Sequence, residues 1–396
     1  MQLPEDFITY TRQLMGDERF GKYLKAFDEE PPVSIRLNPL KANGMTVAEG
    51  EPVPWCQEGF YLPARPNFTM DPLLHAGCYY VQEAASMFVS HVLRQYVKEP
   101  VTMLDLCAAP GGKSTAAIAA LPEGSMLYSN EPMRQRASIL AENVAKWGYP
   151  NCCVTNCYPK DYRRSKQKFG VILCDVPCSG EGMFRKDEAT IREWSLQNVE
   201  KCWRLQRDIV ADAWECLLPG GLLIYSTCTF NTKENEENVR WIMENYDAEV
   251  LEIPTDPSWN IIGSLLSGFD APVYRFIPGI TQSEGLFMAV FKKRGVRNVL
   301  RQKNLQKIQG LKNISLDIPQ STFHVELSYS EALKYLRGEA LILPADTPRG
   351  IVNVTYRGIT LGPVKNIGNR ANNLYPKAWR IKTTHLPTEE IKILKI

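Results

Sequence analysis

Between Val101 and Lys292, short apolar runs alternate with longer segments of helical spacing. The runs are Val101–Leu106, Ser125–Asn130, Cys153–Asn156, Gly170–Asp175, Gly221–Thr227, Ala248–Ile253 and Gly285–Lys292. Each has the length and continuous apolar character of a strand buried on both faces. Met133–Lys146 and Leu196–Leu217 repeat their apolar positions at helical intervals. The second ends in Pro219, Gly220 and Gly221, a helix stop followed by a new strand. Strand and helix in alternation predict a parallel sheet covered on both faces.

The flanks read differently. From Met1 to about Phe27, the positions Phe7, Leu14, Phe20, Tyr23, Leu24 and Phe27 follow helical spacing, and Pro31 and Pro32 stop the run. "VSIRLNPLKA" alternates as a short strand. Gly50 to Pro72 is rich in proline and aromatics and reads as loop. Tyr80–Leu93 returns to helical spacing. After Arg294, basic and polar residues run to about Lys312. Short β-like pieces follow, "EALILPAD" and "GIVNVTYRGITLGPVKNIG", with many turn residues. The expected division is an N-terminal region over 1–75, a strand-and-helix domain over 76–294, and a linker with a small β-rich domain over 295–396.

Charge sharpens this division. The chain of 396 residues has a net charge of only +2. From Lys292 to Ile396, however, 19 Lys and Arg stand against 7 Asp and Glu, which leaves the upstream part at net −10. A basic tail on an acidic body is either a nucleic-acid grip or a solvated basic surface. All eleven cysteines lie at or before Cys228, in no regular pairing and no metal-ligand spacing. The N-terminus is polar and acidic, unlike a signal peptide, and no apolar run approaches the roughly 18 residues of a membrane span. The expectation is a protein of the reducing cytoplasm with free thiols, no metal and no membrane partner.

"MLDLCAAPGGKST", Met103 to Thr115, is a strand, a small-residue turn and a helix start. A P-loop needs glycine where Cys107 stands, so an NTPase is excluded. The dinucleotide fingerprint fails too, because only Gly111 and Gly112 are present. S-adenosylmethionine carries no phosphate and needs close backbone approach instead, which Ala108, Ala109, Gly111 and Gly112 allow. Glu131 follows Gly112 by 19 residues, near the distance of about 20 at which an acidic side chain holds ribose hydroxyls.

Two further runs end in cysteine-bearing polar segments: "VILCDVPCSGEG" with Cys178 and "GLLIYSTCTF" with Cys228. Ligands of open α/β sheets bind at such strand ends. Methylation of a pyrimidine at carbon 5 needs nucleophilic help, because that carbon is unreactive in the intact ring. A thiolate adding to carbon 6 makes carbon 5 enamine-like. A hydrogen-bonding group must then stabilise charge on the base, and the proton on carbon 5 and the thiol must finally leave. Cys228 and Asp175 suit the first roles and Cys178 the last. Most free cysteines are inert packing, and that reading is taken for Cys174, Cys202 and Cys216; spacing alone leaves both readings open for Cys178 and Cys228.

"LDLCAAPGGKST", "DVPCSGEGMFRKD" and "YSTCTFNTKENEENV" resemble the signature motifs of RNA cytosine-5 methyltransferases, more narrowly the bacterial RsmF-like ribosomal RNA enzymes. "SIRLNPLK" and "GCYYVQEAASM" are similar to that family's N-terminal motifs, and "RFIPGITQSEGLFMAVFKK" to its closing strand pair. "GPVKNIGNRANNLYPKAWRI" resembles its PUA-like RNA-binding domain. The resemblance implies an α/β fold: a Rossmann-like methyltransferase core with an N-terminal α+β extension and a small β-rich PUA-like C-terminal domain. It implies transfer of a methyl group from S-adenosylmethionine to carbon 5 of a cytosine in ribosomal RNA, 16S rRNA first, by a monomer that takes RNA or a ribosomal subunit as partner.

Carried onto these motifs, the resemblance makes Cys228 the nucleophile and Cys178 the residue that assists release. DNA enzymes instead use the Pro-Cys cysteine as nucleophile, so both motifs together point to RNA. Asp175 contacts cofactor and base, and Lys113 orients its carboxylate. Cys107, Ala108, Ala109, Pro110, Gly111, Gly112, Lys113 and Glu131 hold the cofactor. One departure is visible in "TNCYPKDY", where Cys157 and Tyr158 replace the acidic residue expected near the adenine; Asp161, Asn156 or a backbone amide takes its place. Arg36, Arg185 and Lys186 are candidate RNA backbone contacts, and Arg370, Tyr375 and Trp379 combine basic and aromatic character suited to RNA. The competing functions are a tRNA or DNA cytosine methyltransferase, and a non-catalytic RNA-binding assembly factor on the same fold.

Overall fold

The computed structural model describes residues 3–295, 311–314, 316–383 and 385–395. Most of the basic stretch expected as a linker, 296–310, lies outside the described residues.

The N-terminal apolar run forms two helices, Glu5–Met15 and Asp17–Lys25, rather than one. Gly16 separates them at φ 76°, a conformation that glycine adopts without steric cost. Five short strands follow: β1 (Val33–Leu37), β2 (Thr46–Val47), β3 (Glu51–Pro52), β4 (Gly59–Leu62) and β5 (Tyr79–Val81). Four of them form an antiparallel sheet in the order β3-β4-β1-β5. The stretch expected as loop thus supplies β3 and β4, and the expected helix over Tyr80–Leu93 begins with β5 and becomes an α-helix only at Phe88–Tyr96.

The central sheet holds β6 (Thr102–Asp105), β7 (Met126–Asn130), β8 (Cys152–Thr155), β9 (Phe169–Asp175), β10 (Leu217–Thr227), β11 (Ala248–Val250), β12 (Tyr274–Phe276), β13 (Leu286–Lys293) and β14 (Asn313–Ile314). Its order is β11-β13-β10-β9-β6-β7-β8-β14, with β12 on β13. The strands from β8 to β10 are parallel, and β11, β12, β13 and β14 pair antiparallel. Alternate side chains feed opposite cores, as a two-residue period requires. Met103, Leu127, Val171 and Ile224 pack with Phe88, Val92 and Ala117 on one face. Leu104, Tyr128, Ile172 and Leu223 pack with Ile209, Val210 and Ala213 of the helix Leu196–Cys216 on the other. Each such fully buried side chain contributes about 2 kcal/mol.

The chain runs outward from β6 through β7 to β8, then returns to β9 on the other side of β6. That reversal opens a crevice at the carboxyl ends of β6 and β9.

The C-terminal unit holds β15 (His324–Glu326), β16 (Gly350–Tyr356), β17 (Ile359–Asn366), β18 (Ala371–Asn373) and β19 (Leu394–Lys395). The first four form one sheet. Its helix, Tyr329–Arg337, starts with a reciprocal Ser328–Glu331 capping box. This unit shares its core with the N-terminal sheet: Val325, Leu333 and Val352 pack in one cluster with Ile35, Phe68 and Tyr79. β19 pairs with β2, and the Tyr329 hydroxyl donates to the Met70 carbonyl at 3.0 Å. Tyr375 belongs to this core, while Arg370 is exposed. Trp379 is half-buried against the same cluster, with the Lys146 ammonium 5.2 Å from its ring. The three residues therefore do not form one RNA-facing surface; burial of Tyr375 removes it. Among the described residues, no helix is long and apolar enough to cross a membrane.

Candidate active site

β6 delivers Asp105 and then the loop Cys107–Gly112 to the crevice. The loop is fixed through its backbone. Ala108 N–H donates to the Asn130 carbonyl at 2.8 Å. The Ala109 carbonyl accepts from Arg136 at 3.0 Å, and the Pro110 carbonyl from Asn143 at 2.8 Å. Gly111 sits at φ 116°, and a Cβ there would come within 3.1 Å of Leu140. Gly112 opens the helix Gly112–Ala120. Asp105 is fully buried, and one oxygen accepts from Ser114 Oγ at 2.6 Å. Burial pushes its carboxyl up to about 7. Burial also raises the Cys107 thiol, so that cysteine lines the loop as a neutral group.

Lys113 Nζ lies 2.8 Å from Asp175 Oδ2, and Ser226 Oγ donates to Asp175 Oδ1 at 2.7 Å. Burial alone would lower the Lys113 ammonium, but the Asp175 carboxylate outweighs it and holds the group above the ordinary lysine value. Parallel pairing sets Asp175 against Ser226, so the segments that follow them run side by side. They carry the two cysteines. Cys178 Sγ lies 3.0 Å from Cys228 Sγ, and the Cys228 amide donates to Cys178 Sγ at 3.3 Å. The hydrogen bond with Cys228, then burial, then the charge of Cys228 and after it that of Glu234 raise the Cys178 thiol well above its usual value.

Two buried carboxylates, absent from the sequence-based candidates, join these segments. Glu181 accepts from the Phe230 and Asn231 amides at 2.7 and 3.0 Å and from Trp194 at 3.0 Å. Glu234 accepts from the Ser179 amide at 3.0 Å, from Gln206 at 2.7 Å and from Asn231 at 2.8 Å. Burial and the neighbouring Glu181 push Glu234 up to about 7. A signal existed: "CSGEG" and "CTFNTKENEEN" place acidic residues three and six positions after the two cysteines, among small polar residues.

The remaining candidates divide. Glu131, at the end of β7, accepts from the Met133 amide at 3.0 Å and pairs with Arg136 at 3.5 Å. The Asp161 carboxylate turns back to accept from the Tyr158 amide at 2.9 Å, capping the helix Pro159–Ser165. Asn156 donates to the carbonyls of Glu131 and Pro132 at 2.8 and 2.9 Å. Arg36 is no RNA contact: it is buried, donates to Gln82 at 2.8 Å and Thr115 at 2.7 Å, and stacks 4.4 Å from the Trp147 ring. Arg185 pairs with Glu284 at 3.0 Å, whereas Lys186 is exposed. Both line a cleft of about 770 Å³, with Arg65 on its rim and Val33, Leu62 and Val81 among its apolar walls. The cleft lies between the N-terminal sheet and the loop that carries Arg185.

Residues 93–292 match the family described as 16S rRNA methyltransferase RsmB/F. Residues 3–84 match the N-terminal domain of 16S rRNA methyltransferase RsmF, and residues 322–381 the methyltransferase RsmF PUA domain. Ribosomal RNA small subunit methyltransferase F of Pectobacterium atrosepticum is 32% identical over 314 residues, covering 74% of this chain and 63% of that protein. The protein of the same name from Cronobacter sakazakii is 32% identical over 312 residues, with the same coverage. The chain thus spans 63% of the length of these curated relatives. Among solved structures, a methyltransferase homolog protein from Pyrococcus horikoshii superposes with a TM-score of 0.62 at 26% identity, covering 73% of this chain and 95% of that one. NSun6 from Pyrococcus horikoshii shares the fold, with a TM-score of 0.60 at 20% identity over 74% of this chain and 99% of that one.

Proposed function

Because the chain belongs to the 16S rRNA methyltransferase RsmB/F family, we propose that it methylates carbon 5 of a cytosine in small-subunit ribosomal RNA with S-adenosylmethionine as donor. The observation that carries this reading is the pair of sulfurs 3.0 Å apart beside the Lys113–Asp175 ion pair. Cofactor residues would be the loop Cys107–Gly112, with Glu131 and Asp175. The neighbouring strand ends of β6, β7 and β9 fit a ligand bound in the crevice where the strand order reverses. S-adenosylmethionine supplies an electrophilic methyl group when bound.

In this reading Cys228 adds as thiolate to carbon 6 of the cytosine, and carbon 5 becomes the nucleophile. Asp175, aligned by Lys113 and Ser226, hydrogen-bonds the base edge. After transfer, the carbon 5 proton leaves to a base, the carbon 5–carbon 6 double bond re-forms, and the bond from carbon 6 to Cys228 breaks. Cys178 is the neighbour of the departing sulfur and assists that step. Asp161 contributes to the adenine side only by leaving its cap; the backbone near Cys157 and Tyr158 is the alternative contact. The target base must leave its stack to reach the sulfurs, and the cleft edged by Arg65 and Lys186 suits the flanking RNA backbone.

The test is methyl transfer from labelled S-adenosylmethionine to 16S rRNA, isolated small subunits, tRNA and duplex DNA, followed by bisulfite mapping. A 5-methylcytosine in 16S rRNA or the subunit supports the proposal. Label in DNA or tRNA alone, or in none of the four, sinks it.

A further inference from the structure

Two thiols in contact leave a question that the reaction alone does not answer: which sulfur carries the proton. We propose that Glu234 is a positioning residue that keeps the shared proton on Cys178, so that Cys228 is the anion of the pair. The proposal rests on the reading of Cys228 as nucleophile, and deepens it.

The geometry is asymmetric. Glu234 is fully buried, and its carboxylate accepts the Ser179 amide, the peptide N–H that follows Cys178. That donor is thereby withdrawn from stabilising negative charge at Cys178, and a carboxylate stands in its place. Gln206 bridges the two by donating both to Glu234 and to the Pro177 carbonyl, each within 2.9 Å. On the opposite side, Cys228 follows Ser226 by two residues, and Ser226 is bonded to the carboxylate that holds Lys113. The Lys113 ammonium and Cys228 interact by charge, as do Glu234 and Cys178. Above about pH 7, where Glu234 is ionised, a cation interacting with one sulfur and an anion with the other send the proton to the second.

Other titratable groups facing the pair are Asp175 beside Lys113, Glu181 beside Glu234, and Cys202 and Tyr225 behind. One contact opposes the assignment: the Cys228 amide donates to Cys178 Sγ and favours its thiolate. A buried unit charge outweighs a single neutral N–H.

The experiment is peptide-resolved alkylation by iodoacetamide across pH, on the full chain without RNA, so that it reads the thiols whether or not any RNA is methylated. In the wild type, Cys228 is expected to react at lower pH than Cys178. Glu234→Gln should lower the midpoint of Cys178 by about one pH unit, with a single cooperative thermal unfolding transition as the check on folding. Reaction of Cys178 before Cys228 in the wild type overturns the proposal. So does a folded Glu234→Gln chain whose Cys178 midpoint stays put. Should that variant not fold, the wild-type order alone decides. Loss of RNA methylation with the thiol order intact would count against the RNA reading and leave this one standing.

Discussion

Asp175 is held at both oxygens: Lys113 Nζ lies 2.8 Å from one and Ser226 Oγ 2.7 Å from the other. A carboxylate fixed in this way presents a defined lone-pair direction to whatever enters the crevice. Removing the cation while keeping a similar volume should therefore harm the chemical step. Lys113→Met is expected to lower kcat by about 10²- to 10³-fold, measured by single-turnover methyl transfer at saturating RNA. A variant that changed only KM would show that Lys113 binds substrate and does not align Asp175.

The cysteines should fail in different ways. Cys228→Ala is expected to lose more than about 10⁴-fold in turnover and to form no covalent bond with RNA. Cys178→Ala should still attack but release poorly, so a protein–RNA adduct that survives denaturing gels should build up. An adduct from Cys228→Ala and none from Cys178→Ala would reverse the assignment.

The strands around this site are legible because each is buried on both faces, and an apolar run as short as Val171–Cys174, bounded by a glycine and an aspartate, favours a strand over a helix. The placement of Cys178 and Cys228 at strand ends was legible for the same reason. Their contact was not, because it depends on the parallel register that sets Asp175 against Ser226. β12 is absent from the apolar runs, and only the resemblance marks it as half of a strand pair, because Arg275 stands at its centre and a charged residue reads as exposed. In the fold Arg275 is buried by a two-pronged pair with Glu236, both bonds 2.8 Å, from a residue 39 positions away. Arg36 misled in the same way, through Gln82 and Thr115. The helix cap made by Asp161 was within reach: proline at the first helical position and an acid at the third are local signals.

Gly182 and Gly285 let two backbones touch. A Cβ on Gly182 would lie 2.6 Å from the Gly285 Cα, and one on Gly285 would lie 2.4 Å from the Gly182 Cα. Neither neighbour is a side chain that can swing away. Gly182→Ala should cost about 1–3 kcal/mol, read from denaturant midpoints. It should also push the Cys178 segment off Cys228, so covalent capture of RNA should fall further than affinity for S-adenosylmethionine.

Buried carboxyls give the fold a pH dependence of definite sign. Burial raises Asp105 from 3.8 to about 7. The folded Asp105 then binds more protons than the unfolded one between about pH 4 and pH 7, so its contribution to stability falls as pH rises across that window, whereas His75, lowered to about 4 by burial, acts in the opposite sense. Asp105 alone can account for up to about 4 kcal/mol of the fall. Asp105→Asn should flatten the slope, measured by unfolding midpoints at pH 4.5 and 7.5. A steeper or unchanged slope would place the titration elsewhere, with Asp71, raised to about 6, and Glu234 and Glu284, both raised to about 7, among the other carriers.

Arg36 and Lys186, alike in sequence as basic residues beside motifs, should part company in solution. Arg36 is sealed between Gln82, Thr115 and Trp147, while Lys186 is exposed at the cleft. Arg36→Met removes charged hydrogen bonds inside the protein and should cost about 2–3 kcal/mol of stability. The salt dependence of RNA binding should not change. Lys186→Ala should leave stability within about 0.5 kcal/mol and reduce the slope of log affinity against log salt by about 1. Filter binding across a salt series, run beside denaturant melts, separates the two. A smaller salt slope for Arg36→Met would mean that the buried guanidinium reaches RNA after all, through an opening of the N-terminal sheet from the helix Gly112–Ala120.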